Sequence, residues 1–133
     1  MKAVFADTFY WIALTAPTDA AYSRAHQVTD DIVTIDEVLT EYLTFFCTSP
    51  EYLRRKAASN VQNILNDPSV RVIPQSRESF VSGLALYSDR PDKGYSLTDC
   101  ISMQTMRREG LTDVLTNDRH FEQEGFRALF RDS

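Results

Sequence analysis

Basic charge is scarce in this chain. Its 14 lysines and arginines are outnumbered by 19 aspartates and glutamates, which leaves a formal net charge of −5 over 133 residues. A protein that grips polyanions through a general basic surface is therefore disfavoured. Acidity gathered where cations neutralise it is still compatible with nucleic-acid chemistry. Cysteine is nearly absent: only Cys47 and Cys100 occur, in no metal or redox spacing, and both fall within apolar helical patterns. They read as buried free thiols of a reducing compartment, and a disulfide scaffold is excluded. No cluster of His and Cys offers the ligands of a zinc centre. Long apolar runs are missing as well. The opening "MKAVFADTFYWIALTA" has the look of a leader, but Asp7 interrupts it, and a charge there opposes membrane insertion. No other stretch approaches the ~18 apolar residues of a spanning helix, so a cytoplasmic protein with no membrane partner is expected.

What is present has the composition of a globular protein, 43% hydrophobic and 25% charged, in a length that suits one ordinary domain with a real core. "KAVFAD", "IVTI", "SVRVIP", "DVLT" and "FRAL" are short apolar runs that predict strands. Helical patterns separate them. "TFYWIAL" predicts a short helix and "TDAAYSRAHQVTDD" a further one. "EVLTEYLTFFC", with Asp36 placed to cap it, clusters Val38, Leu39, Tyr42, Leu43, Phe45 and Phe46 into one wide apolar face. Ser49-Pro50-Glu51 starts another helix, with Ser at the cap and Pro in the first position, and Ser76 starts the next. "SLTDCISMQTMRRE" is stopped by Gly110. Strands alternating with helices predict a three-layer α/β/α arrangement around a mostly parallel sheet of four to five strands. There is no internal repeat, low-complexity tract or linker.

In such a sheet, function gathers just past the carboxyl ends of the strands. Asp7 ends the first strand, where it is either a helix cap or a site residue, and Asp118 stands after the fourth with the same two readings. Asp99 lies in the first turn of its helix, favoured there by the helix dipole. With Ser96 or Thr98 able to cap, it is expected to project freely. Glu41 sits in an otherwise apolar helix, where a carboxylate needs a partner or a cation; Glu37 lies one turn earlier on the same side. Carboxylates from four elements, with no Lys or Arg in the same motifs, would repel one another. Hard divalent cations resolve that conflict, and such a site hydrolyses phosphodiesters.

These residues carry a resemblance. "VFADTFYWIAL", "TIDEVLTEYL", "YSLTDCISMQTMRREG" and "VLTNDRHFEQEGF", in this order and separation through nearly the whole chain, resemble PIN-domain ribonucleases, in particular the VapC-like toxins of bacterial toxin–antitoxin pairs. The resemblance implies one PIN-like domain over residues 1–133. It places the metal-binding, catalytic acids at Asp7, Glu41, Asp99 and Asp118, with Glu41 preferred to Glu37 because the family's acid follows the "VL" pair by two residues. Thr8, Thr116 and Asn117 become supporting residues. It further implies Mg2+ or Mn2+ as cofactor, cleavage of single-stranded or loop RNA, a homodimer and a small antitoxin partner. Arg90 and Lys93, in the loop before Asp99, are candidates for contact with substrate phosphate. The basic run Arg54, Arg55, Lys56 reads as a solvated face, and His26 as surface. His120 is expected to pack and hydrogen-bond rather than act as a base.

Other readings fare less well. A receiver-like domain would bring an acid pair before its first acceptor strand and a late lysine, which "MKAVFAD" and "VLTND" lack. A phosphatase of the Asp-x-Asp kind meets Phe9 at its second acid. A PIN domain that processes or binds a cellular RNA without toxicity keeps the same fold and differs only in its target.

Overall fold

All five apolar runs become strands in the computed structural model, which describes residues 3–131. They are β1 (Val4–Ala6), β2 (Ile32–Ile35), β3 (Val70–Ile73), β4 (Asp113–Leu115) and β5 (Arg127–Ala128). They form one sheet in the order β3-β2-β1-β4-β5, and each of its four pairings is parallel. The sheet thus has the larger of the two expected strand numbers and no antiparallel member. β1 and β2 are buried at every position, as central strands sandwiched between helical layers must be.

The helices are α1 (Thr8–Thr15), α2 (Tyr22–Ala25), α3 (Asp36–Phe45), α4 (Glu51–Asn66), α5 (Arg77–Asp89), α6 (Leu97–Glu109) and α7 (Arg119–Gln123). They complete a three-layer α/β/α arrangement. The core includes Phe5, Val38, Met103, Met106, Val114, Leu115 and Phe121, each sealed from water. α5 and α6 pack closely because Gly83 has no side chain. A Cβ there would run into the Ile101 side chain and sit 3.1 Å from the Ile101 backbone nitrogen. That approach fixes the position of α6, and with it Asp99.

Several local expectations are corrected. The helix over "TDAAYSRAHQVTDD" shrinks to the four residues of α2. Asp36 does not cap α3: the helix begins at Asp36 itself, and its carboxylate accepts the Gln75 backbone N–H at 2.9 Å, bracing the segment after β3. Pro50, not Ser49, stands at the cap of α4. The wide apolar face of α3 is narrower than expected, since Leu43 and Phe45 are exposed while Val38, Leu39, Tyr42 and Phe46 are buried. Cys47, at the end of that helix, is exposed rather than buried; Cys100 is buried as expected. Ser76 and Gly110 cap α5 and α6 as expected, Gly110 in the left-handed conformation at φ 70°. Among the described residues, no helix is long and apolar enough to cross a membrane.

Candidate active site

The strand order reverses at β1: the chain builds outward through β2 and β3, then returns to place β4 on the other side. The loops leaving β1 and β4 therefore diverge, and the crevice between them is where α/β sheets receive ligands. Asp7 leaves β1 in extended conformation and is 7% exposed. Thr116 directly follows β4 and is completely buried. Its Oγ1 donates to Asp7 Oδ2 at 2.9 Å and accepts the Asp118 backbone N–H at 3.2 Å. One hydroxyl thus ties together the ends of the two central strands and orients an acid on each.

The other expected members divide. From the first turn of α1, Thr8 Oγ1 donates to Glu41 Oε1 of α3, so the threonine beside Asp7 steers the exposed rim carboxylate. Glu37 is half-buried and lines a separate cavity with Gln75, Arg77 and Ile101. Asn117 is exposed; its backbone carbonyl accepts from Arg131 at 3.5 Å, and among the described residues no hydrogen bond joins its side chain to the acids. Asp99 is not free to project in the way its helix position suggested. It completes a capping box with Ser96: Asp99 Oδ2 accepts the Ser96 N–H at 3.2 Å, and Ser96 Oγ accepts the Asp99 N–H at 3.0 Å. Its cap role and its place in the pocket coexist on the same oxygen: Oδ2 accepts the Ser96 N–H and also faces His120. Asp118 likewise caps α7, its Oδ1 accepting the His120 N–H at 2.9 Å.

That cap brings in His120. Its Nδ1 lies 3.4 Å from Asp118 Oδ1 and 3.8 Å from Asp99 Oδ2, is shielded from water and has no hydrogen-bond partner. Asp99, Asp118 and His120 form the one group of three potential metal-binding side chains, among the described residues, whose ligand atoms all lie within 4.8 Å of one another.

Electrostatics mark the pocket as short of positive charge. Burial, and then the neighbouring Asp99, push the Asp7 carboxyl from its ordinary 3.8 up to about 7; the Thr116 hydroxyl and the Thr8 amide pull the other way without prevailing, and Glu41 adds a smaller push. Asp99 is raised for the same first reason, burial, with Asp118 and Glu41 adding to it against the Ser96 donors. Neither lysine nor arginine is among the leading causes of either shift.

A supporting network went unnoticed in the sequence. Glu124, whose side chain is 4% exposed, accepts from Arg90 Nε at 2.9 Å, Arg107 at 2.8 Å and the Tyr95 hydroxyl at 2.8 Å. Burial works to raise its pKa, but Arg107, Arg90 and Tyr95 outweigh it and hold the carboxyl at about 2. Tyr95 in turn packs edge-on against the His120 ring at 5.1 Å. These partners are 17 to 34 positions apart, so no local pattern announces them. Arg90, a candidate for phosphate contact, is engaged by Glu124 and Asp89; Lys93, the other candidate, is exposed. Glu124→Gln is expected to lower stability by about 2 kcal/mol at pH 7, the scale of a charged hydrogen-bond set left without its anion. Because the carboxyl is depressed below its ordinary 4.5, the stabilisation is present above that value and is lost as pH falls toward 2. The deficit of the variant, read by calorimetry, should therefore vanish in acid. An equal deficit at pH 7 and pH 2 would refute the electrostatic account.

The family model described as PIN domain matches residues 4–126. Among solved structures, the chain is similar to VapC20 of Mycobacterium tuberculosis, described as a sarcin-ricin loop cleaving toxin. The TM-score is 0.80 at 24% identity, over 92% of this chain and 95% of that one. No curated protein sequence matches.

Proposed function

This chain belongs to the PIN-domain family, and from that premise we propose that it is a Mg2+- or Mn2+-dependent endoribonuclease cleaving single-stranded or loop RNA, the cytoplasmic toxin of a toxin–antitoxin pair. The observation that carries the reading is the convergence of Asp7, Asp99 and Asp118 with Glu41 at the β1/β4 crevice, with neither lysine nor arginine among the leading influences on Asp7 and Asp99. The donor set fits a divalent cation: crowded carboxylates with raised proton affinity, and an orphaned imidazole nitrogen aimed at two of them. Oxygen-rich ligand sets suit Mg2+ and Mn2+. A cation bound there would supply an activated water at neutral pH and counter-charge for the phosphate.

The chain's own residues do the rest. Asp7 forms the floor of the pocket, held by Thr116; Asp99 and Asp118 are held by helix caps. Glu41, steered by Thr8, guards the rim. Phosphate contact falls to Lys93, since Arg90 braces Glu124. RNA as substrate is supported by the similarly folded VapC20, described as cleaving the sarcin-ricin loop. A homodimer and an antitoxin partner both call for apolar docking surface. α5 offers a row of Phe80, Val81, Leu84 and Tyr87 in the open, and α3 offers Leu43 and Phe45.

The test is cleavage of a mixed RNA pool by purified protein with Mg2+, with Mn2+ and with EDTA, beside Asp99→Asn. Cutting is expected with either cation and lost in EDTA. In the variant it is expected to fall by more than ~100-fold, beyond the loss typical of residues that only orient a metal ligand. Cutting that persists in EDTA, or in Asp99→Asn, would overturn the proposal.

A further inference from the structure

His120 is the residue of the pocket that the proposed function leaves without a task. We infer that His120 is itself a metal ligand, donating its Nδ1 beside Asp99 and Asp118, and that this nitrogen biases the site toward Mn2+ and away from Mg2+. The inference rests on the metal-dependent reading above and adds a ligand of different chemistry to it.

The geometry is the first support. Nδ1 lies 3.4 Å from Asp118 Oδ1 and 3.8 Å from Asp99 Oδ2. Around an ion with bonds of ~2.1 Å, adjacent ligand atoms stand about 3 Å apart and opposite ones about 4 Å. Both separations fall in that interval, so modest side-chain rotation suffices. Neither contact is a hydrogen bond, and Nδ1 is shielded from water with no hydrogen-bond partner; its contacts with the two carboxylates are charge pairs, made only when the ring is protonated. With the ring neutral, a buried nitrogen lone pair facing two carboxylates costs free energy unless a cation sits between them.

The ring is also fixed. Its backbone N–H is capped by Asp118 Oδ1 at 2.9 Å, and the Tyr95 ring packs edge-on against it at 5.1 Å. Tyr95 is anchored by its hydroxyl to Glu124, at 2.8 Å. Glu124, Tyr95 and Asp118 together aim Nδ1 into the pocket. Tyr95 and Glu124 are therefore positioning residues for a metal ligand, which accounts for a buried, doubly salt-bridged glutamate behind the acidic pocket. Magnesium demands oxygen ligands and gives up water reluctantly; manganese shares the preference for oxygen, but as a first-row transition ion it accepts one imidazole nitrogen beside carboxylates more readily than magnesium does.

The experiment is pulsed electron paramagnetic resonance of metal-free full-length protein loaded with Mn2+, together with calorimetric titration of Mn2+ and Mg2+. The wild type is expected to show a directly bound imidazole 14N coupling. His120→Ala should lose that coupling and bind Mn2+ more than tenfold more weakly, with Mg2+ affinity changed less than about threefold. His26→Ala, altering the chain's other histidine, should keep the coupling. A wild-type spectrum showing Mn2+ bound without 14N coupling overturns this inference alone and needs no folded variant to do so. The same holds for Mn2+ affinity unchanged in a folded His120→Ala. Wild-type protein that binds neither cation would overturn the proposed metal dependence along with it.

Discussion

Asp7→Asn is expected to make the metal-free protein more stable at pH 8 while abolishing cleavage. The Asp7 carboxyl is held at about 7 in the fold against 3.8 ordinarily, chiefly by burial and by Asp99. A group raised in this way favours the fold while it stays protonated. That contribution is complete below pH 3.8 and is lost as pH climbs through about 7. At about 1.4 kcal/mol per tenfold change in proton activity, full ionisation costs the fold on the order of 4 kcal/mol. Asparagine keeps the shape and an oxygen for the Thr116 hydroxyl, and it carries no charge to strand. The gain should thus approach that figure at pH 8 and be less than half of it at pH 5. In a chain of this length it amounts to roughly 15 °C in melting temperature at the higher pH. Calorimetry in EDTA at the two pH values measures it. A variant less stable than wild type at pH 8 would show that Asp7 is held by its hydrogen bonds more than it is opposed by its neighbours.

Why an acid that destabilises the fold could be read from the sequence, while its supports could not, follows from where the information lies. Asp7 and Asp118 each follow a short apolar run, and a polar residue at the end of a buried strand is a local signal. The parallel sheet was legible for the same reason: strand and helix periodicities alternate along the chain. Thr116 showed as a polar residue after "VL", although only the structure reveals that its hydroxyl links Asp7 to Asp118. Where the reading went wrong, a long-range partner displaced a local one. Asp36 looked like a cap and instead serves Gln75, 39 positions away. Arg90, a candidate for phosphate contact, also has a partner no local pattern shows, Glu124, 34 positions away. Asp99 has two roles where its helix position suggests one, since the Oδ2 that closes the capping box also faces His120. Phe45 and Leu43 completed an apolar face by spacing, yet the layer beneath α3 is only wide enough for Val38, Leu39, Tyr42 and Phe46. Width of a buried stripe is a tertiary property that periodicity does not carry.

A divalent cation should reverse the pH dependence that Asp7 imposes. In EDTA, stability is expected to fall between pH 4 and pH 7 as Asp7 is forced to ionise, with Asp99 raised for the same cause and adding in the same direction. Cation binding requires those carboxylates ionised, so affinity for the folded state rises over the same interval. With Mn2+ at about a hundred times its dissociation constant, binding adds about 2.7 kcal/mol, and about 4.1 at a thousand times. The melting curves with Mn2+ and with EDTA should nearly coincide at pH 4 and separate progressively toward pH 8. The burden on the metal-free fold and the metal's contribution have one origin, the crowding of carboxylates where β1 and β4 part. Asp7→Asn should consequently narrow the separation from both sides, by stabilising the metal-free protein and by weakening the site. A separation that stays the same from pH 4 to pH 8, or that survives intact in Asp7→Asn, would mean that Mn2+ binds elsewhere on the chain. In that event the raised proton affinity of Asp7 would be a consequence of burial and of its acidic neighbours, unconnected with catalysis.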